Sequence, residues 1–288
     1  MNPSEGRVPS TSIDVRIDST TRLPGRVWFA EKPRALVAIL HGLGEHSGRY
    51  AALAEALVAR RFTVVSLDLP GHGQATGPRG DVLSWTQLRE AVVPSMFTVL
   101  RGMPGQPLDL PVVLLGHSMG GVLALDYALA HPRTLLGVVA SAPALKSPAP
   151  PPVKLALAHV VRSVAPAAGF PHGLPESGMS RDPQVLALRK SDPLMHDRIS
   201  PRLYFAYLEA RERVMENARR LAVPTLLLQG AADRVVDPTG ALAFNAAAPH
   251  GLSRLMTYRD GYHEIFNDSV RDQVLNDLVG WLDAIVVV

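Results

Sequence analysis

The run Pro111-Val-Val-Leu-Leu-Gly-His-Ser118-Met-Gly-Gly121, continued by Val122-Leu-Ala-Leu-Asp-Tyr-Ala-Leu-Ala130, constrains the fold more than any other stretch. A β-branched and leucine run reads as a buried strand, and the alanine- and leucine-rich run behind it reads as a helix. Ser118 therefore falls on the sharp turn between them. Such a corner needs small neighbours. Gly116, Gly120 and Gly121 remove the Cβ atoms that would collide where strand and helix cross, and the turn lifts a hydroxyl off the sheet. A Gly-x-Ser-x-Gly pattern set between strand and helix predicts a nucleophilic serine.

The rest of the chain supplies a sheet for that corner. Ser12 to Asp18 and Gly25 to Ala30 alternate in character around a polar turn, which predicts an antiparallel hairpin at a sheet edge. Ala35–Leu40 is a continuous apolar run, as expected of a strand covered on both faces, Phe62–Leu67 is the next buried strand, and Arg49 to Arg60 between them has helical spacing. Trp85 to Arg101 predicts a helix kinked or broken at Pro94. Leu136 to Ser141 is a further strand. Strands alternating with helices imply a parallel sheet with right-handed crossovers and ligands near the strand carboxyl ends.

The proline-rich stretch Pro143 to Pro152 breaks this rhythm, which resumes only at Val223 to Gln229. The interval is read as an insertion of helices over Val153 to Val164, Pro183 to Leu188 and Arg202 to Arg220, with Asp182 and Ser200 capping the last two. In Val153 to Val164, Lys154, His159, Arg162 and Ser163 recur among Leu, Ala and Val, leaving a broad apolar face. That face suits packing onto the main domain, lining an acyl pocket or touching lipid. A helix over Pro238 to Ala247, a strand over Arg254 to Tyr258 and an amphipathic helix over Asp268 to Val288 complete the chain. The expected domains are a core of residues 1–143 and 221–288 and a helical cap of residues 144–220, inserted after the sixth strand.

A serine hydroxyl near neutral pH needs a base within hydrogen-bond reach and a carboxylate to orient that base. Among ten histidines, His263 follows the last predicted strand and rides a loop to the sheet edge, whereas His250 lies in a Pro-His-Gly turn before that strand. Asp233 follows the strand Val223 to Gln229 through Gly230-Ala-Ala, at a strand's carboxyl end, while Asp237 directly precedes Pro238 and a helix, so capping explains it. The expected order is Ser118, Asp233, His263. The oxyanion of a tetrahedral intermediate needs N–H donors, and Met119 and Leu43 are expected to supply them, Leu43 from the loop opening with His41-Gly42. His41 and His72 are read as loop-ordering residues.

His41-Gly-Leu-Gly-Glu-His-Ser-Gly-Arg-Tyr50, Gly71-His-Gly-Gln74, Gly116 to Gly121, Ser191-Asp-Pro-Leu194, Leu228 to Asp233 and Tyr262-His263 together resemble the monoacylglycerol lipases, in the serine aminopeptidase-like branch of the α/β-hydrolases. The resemblance runs from about Ala35 to the C-terminus. It implies the α/β-hydrolase fold, with a mostly parallel central sheet flanked by helices. It also implies cleavage of one fatty acyl ester from glycerol, and a cap bearing an acyl tunnel and a small polar glycerol pocket. Glu45 and Arg49 match polar family positions near the access loop, either as substrate-binding residues or as a salt bridge holding that loop. The animal members carry a second histidine shortly after the catalytic one, where this chain has Phe266.

Bulk properties narrow the partners. At 288 residues, with 47% hydrophobic and 19% charged residues, the chain can fill a sizeable core. A net charge of +3 without a dense basic cluster argues against nucleic acid. The absence of cysteine excludes disulfides, thiolate metal sites and a cysteine nucleophile, and neither cofactor nor metal is expected. Met1 to Arg7 lacks the basic and apolar regions of a signal peptide, so the expected location is cytoplasmic, peripheral to a membrane through the cap. Alternatives to a monoacylglycerol lipase are a lysophospholipase or broad carboxylesterase, an aminopeptidase releasing N-terminal proline, and a binding protein without turnover. The aminopeptidase requires an acidic cluster, whereas Glu176, Asp182, Asp192 and Glu209 are scattered along the cap sequence.

Overall fold

The structure, a computed structural model, describes residues 9–103, 107, 109–147 and 151–286. The expectations for Met1 to Arg7 and for the middle of the proline stretch, 148–150, lie outside the described residues. Strands β1 (Ser10–Arg16) and β2 (Arg22–Trp28) form the expected hairpin, and β2 pairs antiparallel with β4 (Phe62–Leu67). Every other pairing in this sheet is parallel. β3 (Ala35–Leu40), β5 (Val112–His117), β6 (Gly137–Ser141), β9 (Thr225–Gly230) and β10 (Ser253–Tyr258) complete an eight-stranded sheet in the order β1-β2-β4-β3-β5-β6-β9-β10.

Apolar alternation puts helices on both faces. From β3, Leu36, Ala38 and Leu40 join one core with α3 (Val93–Arg101), α4 (Met119–Ala130) and part of α7 (Pro201–Asn217). Val37 and Ile39 point the other way, onto Leu53 and Leu57 of α1 (Ala51–Val58) and Leu278 and Leu282 of α9 (Arg271–Ile285). A strand buried on both sides can therefore be apolar at every position, as β3, β4 and β5 almost are. Pro94 acts as expected. α2 (Trp85–Gln87) widens into a π-helical turn over Leu88–Val92 before α3 begins, because proline supplies no N–H to continue the ladder.

Between β6 and β9 lie α5 (Pro152–Val164), a short ribbon of β7 (Phe170–Pro171) and β8 (Arg198–Ile199), α6 (Pro183–Ser191) and α7. Asp182 and Ser200 cap as expected: Gln184 N–H donates to Asp182 and Leu203 N–H to Ser200. Asp237 caps α8 (Thr239–Ala247), accepting from Thr239 N–H at 2.9 Å, and also pairs with Lys146. No helix among the described residues is long and apolar enough to cross a membrane.

Asp126 fastens α7 to α4, the helix that follows Ser118. Its carboxylate, 2% exposed, accepts from Trp85 Nε1 at 3.0 Å, Arg89 Nη1 at 3.2 Å, and Arg213 Nε and Nη2 at 2.9 Å each. The bidentate fork from Arg213 is the strong form of this pairing. Asp126→Ala, which strands the indole N–H and the arginine pair, is expected to lower unfolding stability by about 3 kcal/mol in urea titrations.

Candidate active site

Ser118 sits at the corner between β5 and α4 with φ 53 and ψ −116, outside the helical and extended regions. Two glycines permit this. A Cβ on Gly116 would lie 2.0 Å from the Gly120 carbonyl, and one on Gly120 would lie 2.4 Å from the Leu40 carbonyl, so strand and helix approach through the space a side chain would occupy. Ser118 N–H donates to the Ser141 carbonyl at 2.9 Å, tying the corner to β6.

His263 and Asp233 converge on this corner. His263 Nε2 is 2.9 Å from Ser118 Oγ, and His263 Nδ1 is 2.8 Å from Asp233 Oδ2. An ionised carboxylate only accepts, so Nδ1 carries the proton and Nε2 is left to accept from the serine hydroxyl. The Asp233 carboxylate is otherwise saturated. Val235 and Val236 N–H donate to Oδ1 at 2.8 and 3.0 Å, and Gln229 Nε2 donates to Oδ2 at 3.1 Å. Burial by itself would raise the Asp233 pKa, but its interaction with His263 and the hydrogen bonds from Val235 and Val236 N–H outweigh it and hold the carboxyl below its ordinary value. His250 lies away from this group, in the turn before β10, as expected.

The loop after β3 faces the serine from the other side. Gly42, Leu43 and Glu45 line the cleft with Ser118, His117 and His263, and Leu43 N–H has no protein acceptor among the described residues. Met119 opens α4, directly after the serine. His41 orders the loop: its Nε2 accepts from Leu69 N–H at 2.9 Å. His72 packs between the His41 and His196 rings, with centroids 5.3 and 4.9 Å away.

Glu45 and Arg49 have separate fates. Glu45 lines the cleft and is held by Gly42 N–H at 3.0 Å and Tyr50 Oη at 2.8 Å. Arg49 pairs with Glu264, the residue after His263, instead of lining the cleft. Glu264 also takes Arg189 Nη1 of α6 at 2.7 Å, and the same nitrogen is 3.7 Å from Glu45. Two cations and two anions thus share one buried cluster beneath the cleft. Arg189, Glu264 and His117 are site residues that the sequence reading missed. Adjacency to His263 was the available signal for Glu264, whereas nothing local marks Arg189, which arrives from a distant helix.

The segment after β7 closes over the serine. Gly178 and Met179 carbonyls accept from His263 and Glu264 N–H at 3.3 and 2.7 Å, Ser180 Oγ donates to the Asn267 carbonyl at 2.9 Å, and Leu174 and Met179 wall the cleft. Only about 10 Å³ remains free there, too little for an ester, so access requires these side chains to move.

Comparison with known proteins gives the family and the fold. The family described as Serine aminopeptidase, S33, matches residues 31–270. The monoacylglycerol lipase of Mycolicibacterium smegmatis is 32% identical over 262 residues, 89% of this chain and 91% of that protein. Phospholipase YtpA of Bacillus subtilis is 33% identical over 255 residues, 86% of this chain and 94% of that protein. The crystal structure of Paleococcus ferrophilus monoacylglycerol lipase superposes with a TM-score of 0.83 at 35% identity, covering 91% of this chain and 99% of the other.

His117 offers a test of the electrostatics. Its ring lies 4.8 Å from that of His263, and burial, partly opposed by Glu45, lowers its pKa from 6.5 to about 4. The folded state therefore binds this proton less readily than the unfolded state. Its contribution is complete above about pH 6.5 and erodes as pH falls towards about 4, by up to about 3 kcal/mol. In thermal melts, His117→Gln is expected to flatten the decline of Tm across that window.

Sheet order, elbow and family match lead to one conclusion: the chain belongs to the monoacylglycerol lipase family of the α/β-hydrolases and is a carboxylic ester hydrolase.

Proposed function

We propose that the protein hydrolyses monoacylglycerols to glycerol and fatty acid through an acyl-enzyme on Ser118. The observation carrying this reading is the unbroken hydrogen-bonded series from Ser118 Oγ through His263 to Asp233. His263 Nε2 takes the hydroxyl proton as Oγ attacks the ester carbonyl, and the oxyanion is held by the N–H groups of Leu43 and Met119. Asp233 keeps the imidazole in the right tautomer and stabilises its charged form. The proton on Nε2 then passes to the departing glycerol oxygen, and water repeats the cycle on the acyl-enzyme.

Residues 144–220 act as the cap in this reading. Val153, Leu157, Val160 and Val164 of α5 recur at helical spacing and are 81%, 59%, 62% and 76% exposed, forming an apolar stripe. The opposite face of α5 rests on α7, with the His159 ring 4.2 Å from that of Phe205 and Arg162 over the same ring. Each stripe residue inserted into a lipid surface gains on the order of 2 kcal/mol, which is enough for transient docking where the substrate dissolves.

Ser118→Ala is expected to abolish labelling by a serine-directed phosphonate and to reduce turnover about a million-fold, and Asp233→Asn about ten-thousand-fold. Retained hydrolysis in purified Ser118→Ala would overturn the mechanism. A double variant, Leu157→Glu with Val160→Glu, is expected to lower co-sedimentation with phospholipid vesicles. Unchanged co-sedimentation would exclude α5 as the docking face.

A further inference from the structure

Three consecutive residues of the loop that carries His263 are tied to the insertion. Tyr262 N–H donates to Asp268 Oδ2 at 2.6 Å, and the other oxygen of that carboxylate takes Arg181 N–H at 3.2 Å. His263 and Glu264 N–H donate to the Gly178 and Met179 carbonyls. These bonds fix the backbone path. The side chain of Glu264, 3% exposed, adds a charged link: it takes Arg189 Nη1 of α6 at 2.7 Å, Arg49 of the core, and Asn267 Nδ2 at 3.3 Å.

Arg189 is placed by the seat of α6. Before the helix, Arg181 Nη1 donates to the Asp260 carbonyl at 3.2 Å, and just after it His46 Nε2 donates to Asp192 at 2.8 Å. His46 belongs to the loop after β3, as does Glu45, which lies 3.7 Å from Arg189 Nη1 and holds Gly42 N–H at 3.0 Å. One buried guanidinium therefore meets a carboxylate on each of the two loops that face Ser118. Arg189 also borders the serine cleft, where it could touch substrate, but Nη1 is already committed to Glu264, and parting a buried pair leaves a charge uncompensated. The cluster is balanced, with Arg49 and Arg189 against Glu45 and Glu264.

We propose that Arg189 is a positioning residue for ester hydrolysis. Through Glu264 it sets the His263 imidazole at hydrogen-bond distance from Ser118 Oγ, and it keeps the charge beside that imidazole at zero. The role presupposes the acyl-enzyme reading above. An unbalanced carboxylate nearby would favour the protonated imidazole, which cannot accept the serine proton. Two further titratable groups face the ring: Asp233 at Nδ1, and His117, which burial lowers to about 4 and so keeps neutral at pH 7. Neither is altered in the test.

Purified Arg189→Gln, Arg189→Lys, Glu264→Gln and the double variant Arg189→Gln with Glu264→Gln are compared on 1-oleoylglycerol and nitrophenyl butyrate as a function of pH. Arg189→Gln is expected to lower kcat about tenfold on both esters with KM within about twofold, and to move the acidic limb of kcat/KM up by about half a pH unit or more. Arg189→Lys keeps the charge and leaves the limb at its parental pH. Glu264→Gln moves the limb down, and the double variant, with charge rebalanced, returns it while kcat stays low. A rise in KM for 1-oleoylglycerol alone would make Arg189 a substrate contact and overturn the proposal. A lowered Tm with kcat and limb unchanged, the mark of a purely structural residue, also overturns it. If Arg189→Gln fails to fold, Glu264→Gln decides: a limb moved down together with a lowered kcat supports the assignment, and a parental value of either overturns it. If the unaltered protein takes no label from a serine-directed phosphonate, the acyl-enzyme reading fails instead.

Discussion

The crossing of β5 and α4 at Ser118 is the constraint on which the rest of the molecule depends. A non-glycine residue held at φ 53 and ψ −116 costs on the order of 1–3 kcal/mol, and it persists only where the surroundings leave no alternative. Here they leave none. Gly116 and Gly120 let the two elements approach until a methyl group would overlap a carbonyl, and the Ser141 carbonyl takes the serine N–H. The strain sets the hydroxyl above the sheet edge, where the β9 and β10 loops can reach it.

Those loops are held by different means. Asp233 is positioned locally, because backbone N–H groups two and three residues on saturate one oxygen of its carboxylate and Gln229 shares the other with His263. His263 is positioned at long range. Carbonyls of the inserted segment take its N–H and that of Glu264, while the Glu264 side chain is gripped by Arg49 and Arg189. Buried ion pairs of this kind contribute little net stability, since desolvation offsets attraction, but breaking one is costly, so they specify a single arrangement. The cluster links the loop after β3 through Glu45, the His263 loop through Glu264 and the insertion through Arg189. Displacing α6 would therefore disturb both loops that serve Ser118.

Much of this was legible in the chain because the relevant signals are local. A continuous apolar run marked β3, and runs dominated by β-branched residues and leucine marked β4 and β5, since strands covered on both faces have no consistently polar side. Pro94 marked the break before α3, and Asp182, Ser200 and Asp237 marked caps, each through a hydrogen bond spanning two or three residues. Asp233 and His263 were found because both lie just beyond the carboxyl end of a strand in a parallel sheet, and that rule needs only strand order. The pairing of Arg49 was not legible. Its partner is 215 residues away, and a charged side chain carries no mark of which opposite charge it will meet.

The linear sequence by itself determined the turn at Ser118, the parallel sheet and which residues, Ser118, Asp233 and His263, meet at its carboxyl edge, because each follows from periodicity, glycine placement or position after a strand. Tertiary structure alone decided what surrounds them: the cleft closed to about 10 Å³ by Leu174 and Met179, the Glu45–Arg189–Glu264–Arg49 cluster, and the second cavity beside the cleft. The physical reason is range. Backbone geometry and capping are settled within a few residues, whereas burial and charge pairing depend on which distant segments the fold brings together.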